Sequence, residues 1–167
     1  MKEKKGYYAF IFFSVSIFAY FLEILYSLVF RFKLVNPGSL NGPWCPVYGI
    51  TCVFLILILK KDNNKILNLI KMYFIASIIE YFASFICDKV FHRIVWDYSE
   101  FFLNINGRIC LVMSLVFTLM SYLMIYYVEP SLNVIYNKNK KMFDRINTIL
   151  FIIFIIDLLI KIVTKNF

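Results

Sequence analysis

Apolar residues run along this chain in five blocks, at about 7–30, 46–61, 66–91, 108–128 and 146–163, parted by short polar linkers. The first block, Tyr7 to Phe30, has 24 residues and one formal charge, Glu23. At about 1.5 Å per residue it makes a helix about 36 Å long, enough to cross a hydrocarbon core of about 30 Å with some tilt. It is too long for a signal-peptide core and no small-residue cleavage site follows it, so it is expected to stay in the mature protein. The second block is short: Pro46 to Leu59 spans only about 21 Å at helical rise. Either the preceding loop dips to membrane depth, or Lys60 and Lys61 snorkel. Pro37, Pro43, Pro46 and Pro130 all fall in linkers or at block edges, where a missing N–H does least harm. The pattern predicts an all-α, polytopic integral membrane bundle of about five transmembrane helices, forming a single transmembrane domain over 1–167.

Composition agrees. Hydrophobic residues make up 62% of the chain, against about 45–50% in a soluble domain, which leaves too little polar sequence to surround a core. The net charge of +8 sits in Lys/Arg clusters at block ends, which suits anchoring against anionic head groups; a nucleic-acid footprint would need one extended basic face. With the N-terminus inside, Lys2, Lys4, Lys5, Lys60, Lys61, Lys65, Lys138, Lys140, Lys141 and Arg145 lie on the cytoplasmic side. Arg31, Lys33, Lys89, Arg93, Arg108, Lys161 and Lys165 lie outside, and Lys71 falls within the third block. Ten against seven favours a cell-membrane protein with a cytoplasmic N-terminus and an external C-terminus. Both long linkers rich in Gly, Pro, Trp and Asn then share the outer side.

The first two blocks echo the next two. Glu23, Ser27 and Arg31 precede Asn41-Gly42-Pro43-Trp44-Cys45; Glu80, Ser84 and Arg93 precede Asn106-Gly107-Arg108-Ile109-Cys110. This order suggests an internal repeat of helix pairs, 1–2 and 3–4, although Glu, Ser and Arg near helix ends are also common by chance.

A charge near the bilayer centre costs about 2.5–3.5 kcal/mol on insertion scales, so Glu23, Glu80 and Asp157 each need a partner or a purpose. Glu80 shares a helical face with Ala76, Ser77, Ala83, Ser84 and Cys87, and Glu23 with Ser16, Ala19, Tyr20 and Ser27. Small and hydroxylated neighbours suit helix packing, so both acids are expected to face the bundle, paired with Arg31, Arg93 or Arg108 or with the Asn-Gly backbone. Two readings stay open: acids neutralised by Arg to orient helices, or a polar site for a proton, a cation or a substrate. Asp157 has Lys161 at i+4, and a local salt bridge is its simplest explanation. Asp97 is expected to pair with Arg93 or Arg108 at the mouth, and Trp44, Tyr48, Trp96 and Tyr98 to form an interfacial aromatic belt.

Other chemistry is sparse. The single histidine, His92, at a block edge, leaves no basis for a His-based metal site or a Ser/Cys–His–Asp triad. None of the five glycines belongs to a G-x-x-x-x-G-K loop, so an ATPase would have to be a separate subunit. No cofactor, metal ligand or catalytic residue is assigned. Cys45 and Cys110 are either buried free thiols or, being equivalent in the echo, a disulfide pair.

The two outer loops carry a resemblance. Gly38-Ser39-Leu40-Asn41-Gly42-Pro43-Trp44-Cys45-Pro46-Val47-Tyr48-Gly49 resembles the G-x-L-x-G-P-x-C-P-x-Y-G signature of a bacterial family labelled ABC-transporter type IV permeases. Trp96-Asp97-Tyr98-Ser99, followed by Asn104-Ile105-Asn106-Gly107-Arg108-Ile109-Cys110-Leu111, is similar to its second signature, and Glu80 matches an acid in the preceding helix. The resemblance covers about Glu23 to Ser114 and ends near Pro130. It implies a multi-spanning membrane protein, a transport subunit by label, and carries over no catalytic or substrate residue.

The leading reading is a transport-related, permease-like subunit in the lipid bilayer, with a polar site in the outer half of the bundle. That site draws on Glu23, Glu80, Arg93, Trp96, Asp97, Asn106 and Arg108, next to the signature loop of Asn41, Gly42, Pro43, Cys45, Pro46, Tyr48 and Gly49. A second copy and a separate ATPase are its expected partners; nucleic acid is not. For docking an ATPase the chain offers the Asp62–Lys65 turn and a short interfacial helix around Leu132–Tyr136. The alternatives are a non-catalytic assembly or regulatory protein, and a membrane enzyme acting on a lipid-type substrate.

Overall fold

Three long stretches without an interrupting proline fold as uninterrupted helices. In the computed structural model, which describes residues 2–32, 34, 36–37, 40–59, 64–90 and 92–164, these are α1 (Lys2–Arg31), α3 (Lys65–Lys89) and α6 (Lys140–Thr164). Between them lie α2 (Pro46–Ile58), a hairpin of β1 (Asn104–Ile105) and β2 (Ile109–Cys110), α4 (Leu111–Leu123) and α5 (Glu129–Lys138). Pro46 opens α2, where a missing N–H is harmless. Asn64 opens α3, its side-chain oxygen accepting from Ile66 N at 2.9 Å.

Four helical stretches are long and apolar enough to cross a membrane: Lys5–Val29, Lys65–Lys89, Leu111–Lys138 and Lys140–Thr164. The fold is therefore an all-α, polytopic membrane bundle. The block at 46–61 forms a helix of only 13 described residues, about 20 Å at helical rise, which is short of a full crossing. Lys60 and Lys61 lie outside the described residues.

Two boundaries differ from expectation. Arg108 to Cys110 enter the hairpin, so the fourth helix starts at Leu111. It then continues through Pro130 to Lys138, by way of a π-helical turn at Met124–Val128 in which Glu129 N–H reaches back to Met124 O. A proline at 130 has no N–H to return to Tyr126 O, and its ring crowds that carbonyl. Widening the preceding turn accommodates both defects without ending the helix. The expected linker 129–145 is thus nearly all helical, broken at Asn139, and Leu132–Tyr136 is part of a long helix.

The chain packs as two compact units, one of 1–49 with 133–167 and one of 50–132. In the first, α1 packs along α6. Its core joins Phe13, Leu40 and Trp44 with Phe12, Ile17, Leu150, Phe154 and Leu158, and Trp44 meets Phe154 edge-on at 5.9 Å. Near the start of α1, Tyr136 contacts Tyr7 and Phe10 and donates to Asp144 at 2.6 Å. A Cβ on Gly6 would lie 2.1 Å from Asp144 Oδ1 and 2.5 Å from the Tyr136 hydroxyl, so a side chain there would push this hydrogen-bonded pair aside.

In the second unit α3 packs on α4. The face that α3 buries is Asn68, Met72, Ala76, Ser77, Glu80 and Ser84, and α4 buries Ser114, Thr118 and Ser121. Small and hydroxylated side chains let two membrane helices approach closely. Phe74, Ile78, Phe82, Leu115 and Leu119 are exposed, so polar groups face inward and apolar ones face the lipid.

Candidate functional site

Each signature loop is tied down within its own unit. In the first, Asp157 of α6 gathers the loop: Oδ1 accepts from Asn41 N at 3.2 Å and Asn41 Nδ2 at 2.8 Å, and Oδ2 from Gly42 N at 2.8 Å and Trp44 Nε1 at 2.9 Å. Cys45 N then donates to Ser16 O of α1 at 3.1 Å, and the Tyr48 hydroxyl donates to Glu23. Gly49 sits so close to α1 that a Cβ would lie 2.3 Å from Ser16 Oγ and 2.5 Å from Phe12 O. These contacts account for most of the motif. Pro43 is exposed, and Pro46 begins α2.

One expectation is corrected here, the pairing of Asp157 with Lys161. The described partners of Asp157 are all loop groups, because four convergent donors satisfy a buried carboxylate better than one flexible lysine. Glu23 takes a tyrosine hydroxyl; the Arg31 side chain lies outside the described residues. All four cysteines are free thiols. Burial, and after it the charge of Glu23, pushes the Cys45 thiol up to about 12.

In the second unit, Asn106 (φ 54°) and Gly107 (φ 67°) make the β1–β2 turn, closed by Arg108 N donating to Ile105 O at 3.0 Å. Two successive positive φ values are what a tight hairpin demands, and Asn-Gly adopts them at least cost. The Asn41-Gly42 pair has no positive φ, so the same dipeptide does different work in the two loops. Tyr98 N donates to Gly107 O at 2.8 Å, and Trp96 Nε1 to Arg108 O at 2.9 Å. Asn104 Nδ2 donates to Ser99 O and Phe101 O, both at 3.0 Å.

Asp97 does not reach Arg93 or Arg108 in a described ion pair. It accepts from the Ser99 hydroxyl and from Ser99 N at 2.9 Å, which hold its carboxyl below the usual range. Arg93 N closes the end of α3 on Cys87 O at 3.0 Å. Asn106 Nδ2 donates to the Tyr81 hydroxyl at 3.0 Å. Arg108 turns back to α3: Nη2 pairs with Asp88 Oδ2 at 2.6 Å, Nη1 lies 3.5 Å from Ser84 Oγ, and the guanidinium stands 5.4 Å from the Phe85 ring centre and 5.9 Å from that of Tyr81.

Glu80 lies one turn deeper than Ser84 on the same face. It is 5% exposed, and neither carboxylate oxygen has a hydrogen-bond partner among the described residues. Tyr98 is the hydroxyl that interacts with it, short of full hydrogen-bond geometry. The arginine expected to neutralise it is on Asp88. Ser77 Oγ, also buried, is likewise unpartnered. Beside this face a groove of about 380 Å³ runs along α3, lined by Tyr73, Phe74, Ser77 and Tyr81 and closed by Ile105 and Ile109 of the hairpin.

Asp88, Asp157, Ser77 and Tyr98 were not among the expected site residues. Asp88 continues the i+4 series Glu80, Ser84, which was a readable signal; Asp157 was masked by Lys161. Among the described residues no three His, Cys, Asp or Glu side chains gather to hold a metal ion.

A family model described as "Putative ABC-transporter type IV" matches residues 10–162, nearly the whole chain, and the chain belongs to that family. The match runs through α6, beyond Pro130 where the sequence motifs stop. No curated protein and no solved structure matches the chain.

Proposed function

We propose that this member of the family is a transport-related, permease-like subunit of the cell membrane, and that its functional centre is Glu80 with Ser77, Ser84 and Tyr98. One observation carries the reading: a membrane-buried carboxylate has no hydrogen-bond partner among the described residues. Buried structural acids are satisfied, because leaving a charge unpaired at that depth is costly. Asp157 holds four donors and Glu23 holds Tyr48, so those two acids clasp helices to loops. Glu80 is approached only by the Tyr98 hydroxyl, short of full hydrogen-bond geometry, and Arg108, the natural counter-ion, is engaged with Asp88. The hairpin then serves as a fixed cover above α3, with Trp96, Asp97, Asn106 and Arg108 holding its shape.

Energy comes from a separate ATPase subunit, docked at the basic corner between α5 and α6, where Lys138, Lys140 and Lys141 flank the turn and Val134 and Ile135 are exposed. With α2 taken as a fifth, short crossing, the Lys/Arg bias favours a cytoplasmic side for that corner and the N-terminus and an outer side for the C-terminus. A second copy encloses the pathway.

The test is a deletion strain assayed for uptake and export of a panel of labelled solutes, complemented by the wild-type chain or by Glu80→Gln at equal membrane abundance. We expect a transport defect that the wild type repairs and Glu80→Gln does not, and an ATPase recovered with the tagged chain. Unchanged fluxes in the deletion strain, with no ATPase recovered, would overturn the proposal.

A further inference from the structure

We propose that the first signature loop is re-entrant. Residues 41–45 stand well inside the bilayer, and α2 is a half-helix running from there to the face that carries the N-terminus. The loop is the floor of an aqueous pocket open to the opposite face. None of this depends on the role given to Glu80.

Depth comes from the register of two membrane-spanning helices. Asn147 Nδ2 of α6 donates to Gly6 O of α1 at 2.9 Å, a separation of 141 positions. Phe13 and Phe154, 6.2 Å apart, have the same separation, so the two helices run parallel and in step. Asp157 is therefore level with Ser16, and the loop is held between them: Asp157 accepts from Asn41 N and Gly42 N, and Ser16 O from Cys45 N. Ser16 is 11 residues above Lys5 and 13 below Val29, the ends of the α1 span, or about 16 and 20 Å at helical rise. Asp157 is seven residues short of Thr164, the end of the α6 span, or about 10 Å. Against a hydrocarbon core of about 30 Å, both measures put the loop inside it, and Trp44 below the interfacial belt expected of it. The nine residues 32–40 can extend about 30 Å, enough to descend the 22 Å or about that from Arg31 to Ser16.

The loop's backbone chemistry fits that depth. In hydrocarbon every N–H needs a partner within the protein. From 41 to 46 each is bonded or absent: Asn41 and Gly42 donate to Asp157, Trp44 to Gly42 O at 2.8 Å and Cys45 to Ser16 O, while Pro43 and Pro46 have none to donate. A loop in water would not require this, so the two prolines of the signature and the aspartate answer one demand. The length of α2 agrees. Gly49, four residues after Cys45, lies against Phe12 O as well as Ser16 Oγ, so α2 heads toward the N-terminal end of α1. Its 13 residues, about 20 Å, cover the distance of about 16 Å from Ser16 to Lys5.

Water follows from what the loop exposes. Asn41 and Pro43 are exposed, and Glu23, two turns beyond Ser16 on the same face of α1, is half-buried. Irregular backbone at membrane depth is tolerated only inside protein or against a water-filled space, and a carboxylate facing lipid is costly. Nothing in this chain covers Asn41 and Pro43, and Glu23 stands on the side of the loop away from the N-terminus. The pocket therefore opens on that side.

The test places nitroxide labels on α2 of the full-length chain in liposomes through Ile50→Cys, Phe54→Cys and Ile58→Cys, three exposed positions, with Cys87→Ala removing the half-buried native thiol. Depth is read by power saturation with oxygen and a nickel chelate. The label at position 50 is expected to be deepest and that at 58 shallowest. A maximum at 54, with both ends shallow, marks a short helix that starts at the surface and overturns the re-entrant loop. These substitutions leave the loop intact, so the depth reading stands even if loop variants fold poorly. Pro43→Cys, probed with a charged impermeant maleimide on sealed vesicles of known orientation, is expected to label from the face opposite an N-terminal tag and not from the tagged face. With position 50 deep, no labelling from either face overturns the aqueous pocket and marks a loop covered by lipid or a second copy; labelling from the tagged face overturns the direction in which it opens.

Discussion

The Trp44 indole donates to Asp157 across 2.9 Å, joining the first signature loop to a helix more than a hundred positions later. The same carboxylate holds the Asn41 and Gly42 backbone N–H groups, so one side chain organises the whole loop against α6. Asp157→Ala is expected to destabilise the protein by at least about 2 kcal/mol, since several donors lose a charged acceptor at once. Thermal unfolding in detergent measures this. A second readout is Cys45, whose thiol burial pushes up to about 12. In the wild type it should resist alkylation at neutral pH, and in Asp157→Ala it should label as the loop loosens.

Gly49 packs against α1 with no space for a side chain. Alanine there would ordinarily favour a helix by about 1 kcal/mol. Here we expect Gly49→Ala to destabilise by about 1–3 kcal/mol, because the methyl meets Phe12 O as well as Ser16 Oγ. Adding Ser16→Ala should recover only part of the loss, because the backbone carbonyl cannot be removed. Unfolding temperatures of the two single variants and the double variant decide this.

The Asp97 turn should respond to acid. Ser99 holds the Asp97 carboxyl below the usual range, and a carboxyl depressed in the folded state stabilises it above the unfolded value, about 3.9. That contribution is lost as the pH falls through the lower folded value. Hydrogen exchange at Tyr98 and Ser99, corrected for intrinsic rates, should be steady from neutral pH to about pH 5 and rise below about pH 4. Asp97→Asn should exchange faster at neutral pH and lose the acid dependence.

Much of the architecture was legible in the apolar blocks, because a membrane span needs a long uninterrupted run and little else. What the runs could not show was how defects are absorbed. Pro130 reads as a stop, yet the π turn at Met124–Val128 carries the helix past it. The acids divide in the same way. Glu80 stood out because small residues flank it on one face, and the structure gives it no charged partner and only the Tyr98 hydroxyl, short of full hydrogen-bond geometry. Its expected arginine partner failed because Asp88, two turns further along α3, competes for Arg108. Asp157 was misread because an i+4 lysine is visible in sequence, while four loop donors converge only after folding. The echo of Asn-Gly motifs conceals different chemistry: Asn106-Gly107 turns a hairpin, whereas Asn41-Gly42 binds an aspartate.

The central claim is that Glu80 is kept for function at a cost to stability, and thermal unfolding of Glu80→Met in detergent tests it most directly. Methionine has a similar length and needs no partner, so removing an unpaired buried acid should leave the unfolding temperature unchanged or raise it by a few degrees, about 2–4 °C per kcal/mol for a chain of this size. A fall of about 5 °C or more would contradict the account, because it would make Glu80 a structural clasp.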